Sequence, residues 1–195
     1  MNHKIILIIF LFVALIQLAV PAKMIFDSEN VITKGKTYKF QLDPVDPNDP
    51  FRGKYMTLRF TENEFKVDSC TQSDYTDAYI EIQSGSNGFA KIKNISFDKP
   101  SSEKDFFKAQ VYCEYYPHFD NQKLDPQKLE NKYVVTYPFT KYFMNELGIA
   151  ATEKKLQELL RDSTIIAYGE VSIKNGQSRL TAIKIDGNKI EDLID

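Results

Sequence analysis

Phe107-Lys108-Ala109-Gln110-Val111-Tyr112-Cys113-Glu114-Tyr115 alternates without a break. Phe107, Ala109, Val111, Cys113 and Tyr115 share one face of an extended chain, and Lys108, Gln110, Tyr112 and Glu114 share the other. Successive side chains of a strand point to opposite faces, so the stretch predicts a half-buried antiparallel strand.

The same period spreads outward from it. Downstream, Tyr133–Tyr137 returns to strand character before Pro138. Ile165, Ala167, Gly169, Val171 and Ile173 then alternate up to Asn175-Gly176, and Ile183 and Ile185 lead into Asp186-Gly187. Both dipeptides favour two-residue hairpin turns, so the C-terminus predicts two hairpins in series. Upstream, Lys36–Leu42 places Tyr38, Phe40 and Leu42 on one face, and Tyr55–Phe60 and Phe65–Asp68 follow as short strands. Ala78, Ile80 and Ile82 alternate up to the turn Ser84–Gly88, which leads into Phe89–Phe97. Asn121–Lys132 is polar and holds Pro126, which predicts a loop or a short surface helix. One amphipathic helix starts at Thr152 as N-cap, with Leu156, Leu159 and Leu160 as the stripe that packs on the sheet. The fold class is therefore α+β, mainly antiparallel β, with one short helix. So many short strands favour a barrel-like or strongly curled sheet, because an open sheet would leave edges exposed.

Ahead of that domain, the apolar run from Ile5 to Ala22 carries no charge and is broken only by Gln17. Its length sits near the lower edge of what crosses a bilayer as a helix. Val20-Pro21-Ala22 fits a signal cleavage site loosely, but the apolar core exceeds that of a cleaved signal, and Met24-Ile25 can extend it past Lys23. The span reads as a retained anchor. Residues 1–25 are then the membrane segment, residues 5–22 its lipid contact, and 26–195 a single β-rich domain. Lysines flank the span on both sides, so charge bias is nearly silent on orientation. A net charge of −2 without a basic block argues against a nucleic-acid partner. Cys70 and Cys113 are the only cysteines. In an oxidising compartment they can form one disulfide, and Cys113 reads equally well as an unpaired core thiol.

The segment Pro44-Val45-Asp46-Pro47-Asn48-Asp49-Pro50-Phe51-Arg52-Gly53-Lys54-Tyr55-Met56-Thr57-Leu58-Arg59-Phe60 has a different character. Its three prolines stiffen the chain, Gly53 permits a turn, and Arg52 can form forked ion pairs with Asp46 and Asp49. This segment resembles the GDYXXLXY family of bacterial membrane-anchored proteins. Gly53, Tyr55 and Leu58 match the motif at its spacing, while Lys54 stands for the Asp and Phe60 for the final Tyr. Gln17–Pro21, Lys141-Tyr142-Phe143 and Ile183–Gly187 extend the likeness over nearly the whole chain. The resemblance implies an anchor in the bacterial cytoplasmic membrane, a β-rich domain on its extracytoplasmic side and a multi-pass membrane protein as partner. It implies no reaction.

The residues themselves offer little chemistry. Asp43, Asp46 and Asp49 lack the alternate-residue spacing of a calcium loop, and no metal or cofactor set emerges. His118, the only histidine after His3, reads as a surface-loop residue. A signal-peptidase-like envelope hydrolase would need Ser28 as nucleophile with Lys54 or Lys91 as base, in a context the sequence lacks. Tyr112, Tyr115, Tyr116, Phe119, Tyr133, Tyr137, Phe139, Tyr142 and Phe143 crowd one third of the chain, and an exposed subset would form a ligand-binding groove. The leading expectation is a non-catalytic binding or bracing component of a membrane complex, with the motif residues structural or at an interface. The hydrolase and the ligand-binding domain are the alternatives.

Overall fold

A computed structural model of the chain describes residues 3–43, 55–70, 74–101, 105–120, 123–143, 152, 155–156, 159 and 165–193, with backbone alone for 115–120 and 123–130. Helix α1 (His3–Lys34) leads into strands β1 (Lys36–Asp43), β2 (Tyr55–Thr57), β3 (Arg59–Phe60), β4 (Glu64–Val67), β5 (Thr76–Ser84) and β6 (Ala90–Ser96). The long strands β7 (Phe106–Asp120) and β8 (Lys123–Thr136) follow, then β9 (Lys141–Phe143), β10 (Ala167–Lys174), β11 (Gln177–Ile185) and β12 (Asn188–Lys189). Among the described residues two five-stranded sheets form, in the orders β12-β11-β10-β1-β3 and β4-β8-β7-β5-β6, with β2-β9 as a separate ribbon. Every named strand pair is antiparallel. The Lys108 N–H donates to the Gly176 carbonyl at 3.0 Å, tying the two sheets together. The result is a nearly closed, barrel-like wrap.

The expected alternation sets the inside. Tyr38, Phe40 and Leu42 of β1 are buried, as are Phe107, Ala109, Val111 and Cys113 of β7. Phe40 sits at the centre of the core. Its ring meets Phe60 at 5.7 Å, Tyr137 at 5.6 Å, Phe139 at 5.1 Å and Phe107 at 6.3 Å, all edge to face. That geometry suits the ring quadrupoles, and it joins residues from both sheets. Asn175-Gly176 and Asp186-Gly187 make the two turns read from the sequence, with φ of 51° and 85° in the first and 47° and 90° in the second. Positive φ at both turn positions is the primed geometry whose twist matches the flanking strands.

Three local readings change. Residues 123–132, expected as loop or helix, belong to β8 and pair with β7. His118, expected on a loop, lies on β7. Beyond Tyr115 and before Asn131 these strands pair only with each other among the described residues, as a two-stranded ribbon. Such a ribbon is held by its ladder and needs no apolar alternation. Its register shifts between Pro117 and His118, opposite residues 126–128, where Pro126 has no N–H to give. Thr152, expected as an N-cap flanking the helix, is itself helical and fully buried. Leu156 is buried on the core as expected.

Helix α1 runs without a break through Pro21 to Lys34. From Ile5 to Phe26 its large apolar side chains stand exposed, with Lys23 reaching one turn on to Asp27 at 2.5 Å. A lysine that bends its head towards the polar end leaves the apolar surface continuous. By length and composition the helix can cross a membrane.

Candidate functional site

The motif strands form the floor of a groove. Tyr55, Met56 and Thr57 pair with Phe143, Tyr142 and Lys141, and the Leu58 N–H donates to the Thr140 carbonyl at 2.7 Å. This leaves β3 apart from β8, and between them opens a groove of about 490 Å³. Leu58, Phe60, Val135 and Tyr137 lie at its base, all buried in the core. Thr57, Arg59, Asn63, Thr136 and Thr140 supply polar groups around it. Tyr75, 63% exposed, packs its ring 5.0 Å from that of Tyr112 on one wall. Aromatic faces beside a guanidinium and several hydroxyls suit an extended chain segment, because they offer apolar area and hydrogen bonds together.

The motif residues divide by role. Leu58 and Phe60 are core residues. Phe60 covers Gly169, where an added Cβ would stand 3.3 Å from the Phe60 ring and 2.9 Å from Leu180 Cδ1. Tyr55 is half-buried on the ribbon, 5.7 Å from the exposed Phe143 ring, with Lys141 Nζ 4.6 Å above its own ring. Asp46, Asp49, Arg52, Gly53 and Lys54 lie outside the described residues. Of the crowded aromatics, Tyr133, Tyr137 and Phe139 are core, while the Tyr142 hydroxyl donates to Glu191 Oε1. The Tyr137 hydroxyl donates to the Glu62 carbonyl, and burial pushes that hydroxyl well above its ordinary pKa. Tyr115, Tyr116, Phe119 and His118 have side chains outside the described residues.

Cys70 and Cys113 are joined, with Cα atoms 5.9 Å apart, within the span a disulfide bridges. The bridge ties the segment after β4 to β7. Both cysteines lie in the core cluster.

A second built feature is the seat of α1. Val31 is 3% exposed against the β10–β11 sheet, and Ser172, on the face turned away from the core, is buried there as well. Arg179 Nε donates to Ser28 Oγ at 2.9 Å, and Lys174 Nζ donates to Asn30 Oδ1 at 3.1 Å. Ser28 therefore faces a guanidinium, which cannot serve as a base. Lys91 lies on β6, in the other sheet. At Gly35 a Cβ would fall 2.2 Å from the Val31 carbonyl oxygen and 3.1 Å from that of Ile173, so only glycine lets the helix end tuck in. Next to this seat, Asp105 accepts from Lys36 Nζ at 2.7 Å and from Tyr38 Oη at 2.6 Å. Burial acts to raise the Asp105 carboxyl, but these hydrogen bonds outweigh it and hold it below the ordinary value. The bond to Asp105 pushes the Lys36 ammonium up, and burial with the same bond pushes the Tyr38 hydroxyl up.

Sequence reasoning did not single out Arg59, Tyr75 or Asn63 for the groove, nor Gly35, Arg179 and Asp105 for the seat. Only the position of Arg59 inside the motif strand offered a signal. In comparison with known proteins, the family model described as "GDYXXLXY protein" matches residues 17–183, which takes in the second half of α1, the seat and the groove. No curated protein and no solved structure matches the chain.

Proposed function

The chain belongs to the GDYXXLXY family, and we propose that it is a membrane-anchored envelope protein whose β-rich domain, outside a bacterial cytoplasmic membrane, binds and braces a membrane partner rather than catalysing a reaction. The observation that carries this reading is the continuity of α1. One helix is apolar and exposed over its first two-thirds and fastened to the sheet over its last turns. A domain fixed to its span in this way holds its surface at a set height and orientation for a membrane partner. The Cys70–Cys113 bridge supports an oxidising, extracytoplasmic setting. The groove beside β3 supplies a surface for an extended segment of the partner, with Arg59 and Tyr75 as its exposed contacts.

Purification of the full chain from membranes in mild detergent tests the reading. A multi-pass protein recovered in constant ratio is expected. Arg59→Ala with Tyr75→Ala should lower that ratio while leaving the urea midpoint unchanged, since both side chains are exposed. Recovery of this chain alone, or an unchanged ratio in the double variant, contradicts the proposal.

A further inference from the structure

Within the uncharged length of α1, from Ile5 to Ala22, one side chain is polar. The residues from Ile5 to Ala22 rise about 27 Å, and Gln17 lies about 5 Å from their midpoint, still within the hydrocarbon depth. Its side-chain amide has no hydrogen-bond partner among the described residues. One turn on, Pro21 sits inside the helix. Proline has no N–H, so the backbone carbonyl four residues earlier, that of Gln17, loses its intrahelical donor. The same residue thus offers an amide and a carbonyl without its i+4 donor at one depth. No Ser, Thr or other polar side chain lies between Ile5 and Ala22 to satisfy either.

Hydrocarbon supplies no water, so polar groups at this depth are satisfied by another helix. We propose that the partner is a second copy of α1, packed parallel so that each Gln17 amide donates to the Gln17 carbonyl of the other copy. Donor and acceptor on one residue are self-complementary under a two-fold axis, the condition an isologous contact requires. The neighbouring pattern agrees. Phe10, Ala14, Gln17, Pro21 and Met24 recur at alternating steps of four and three, the seam spacing of a left-handed helix pair. Ala14, one turn before Gln17, keeps the backbones close. Each site is incomplete without the other copy. The inference rests on the reading that α1 spans a membrane.

The test is disulfide cross-linking of the full-length chain in its membrane. A cysteine replacing Phe10 lies on the Gln17 seam, and one replacing Leu15 lies opposite. Dimer adducts are expected from Phe10→Cys and not from Leu15→Cys. Gln17→Leu should lower the adduct about tenfold, the scale of two symmetric interhelical hydrogen bonds lost together. Pro21→Ala, which restores the carbonyl's own donor, should lower it less. Carbonate extraction distinguishes loss of the dimer from loss of the anchor. A chain that resists extraction yet stays monomeric, cross-links equally from both faces, or cross-links to a different protein overturns the dimer and leaves the anchor standing. A chain released by carbonate overturns both.

Discussion

Phe40 is the residue on which the two sheets converge. It is 1% exposed, and it meets rings from β3 and β7 and from the chain after β8. Phe40→Ala should cost about 3–5 kcal/mol in urea denaturation, because the surrounding rings come from different strands and cannot all collapse inward. Its place was legible from the alternation of Lys36–Leu42. Asp105 was not. Its partners Lys36 and Tyr38 are 69 and 67 residues away, and a long-range polar contact leaves no periodic trace in sequence. The folded Asp105 carboxyl is more acidic than the unfolded one, so its contribution is present above the ordinary Asp value and is lost as pH falls below about 4. Lys36 works in the opposite sense. Its raised pKa stabilises below the ordinary Lys value, and that contribution is lost as pH rises beyond about 10. Asp105→Asn should therefore flatten the acid limb of a stability–pH curve. The loss at neutral pH should be only about 1 kcal/mol, because both ionic side chains remain well exposed to solvent.

Among elements, the strands with one buried face were readable and the ribbon of β7 and β8 was not. Apolar alternation reports burial. Residues 123–130 carry no apolar alternation and include Pro126, so their place in the ladder with β7 left no period-two trace. The groove was hidden for a different reason: its walls come from strands and loops far apart in sequence, and of its exposed members only Arg59 lay in a motif, while Tyr75 belongs to no pattern. The apolar span of α1 was evident, but its docked last turns depend on Gly35, Val31 and two side-chain hydrogen bonds that composition does not announce. Gly35→Val should lift those turns from the sheet, because a Cβ there meets the Val31 carbonyl at 2.2 Å. Hydrogen exchange should then accelerate roughly tenfold or more over residues 27–34, the scale expected for overpacking by one side chain. The amides of β5 and β7 should keep their protection. Equal acceleration everywhere would mean that the seat is part of the global core rather than a joint.

At the scale of the molecule, one chain joins a membrane-length helix, a hydrogen-bonded seat and a nearly closed β domain with a groove on its side. Each part has a physical reason in the chain. The uncharged run makes the span, the glycine and hydrogen bonds make the seat, and the aromatic cluster closes the domain. In the function proposed, α1 stays on the protein and anchors it. Intact-mass measurement on chain isolated from carbonate-washed membranes tests this most directly. The expected mass includes residues 1–22, with α1 whole. A mature chain beginning at Lys23, just past Val20-Pro21-Ala22, would contradict it.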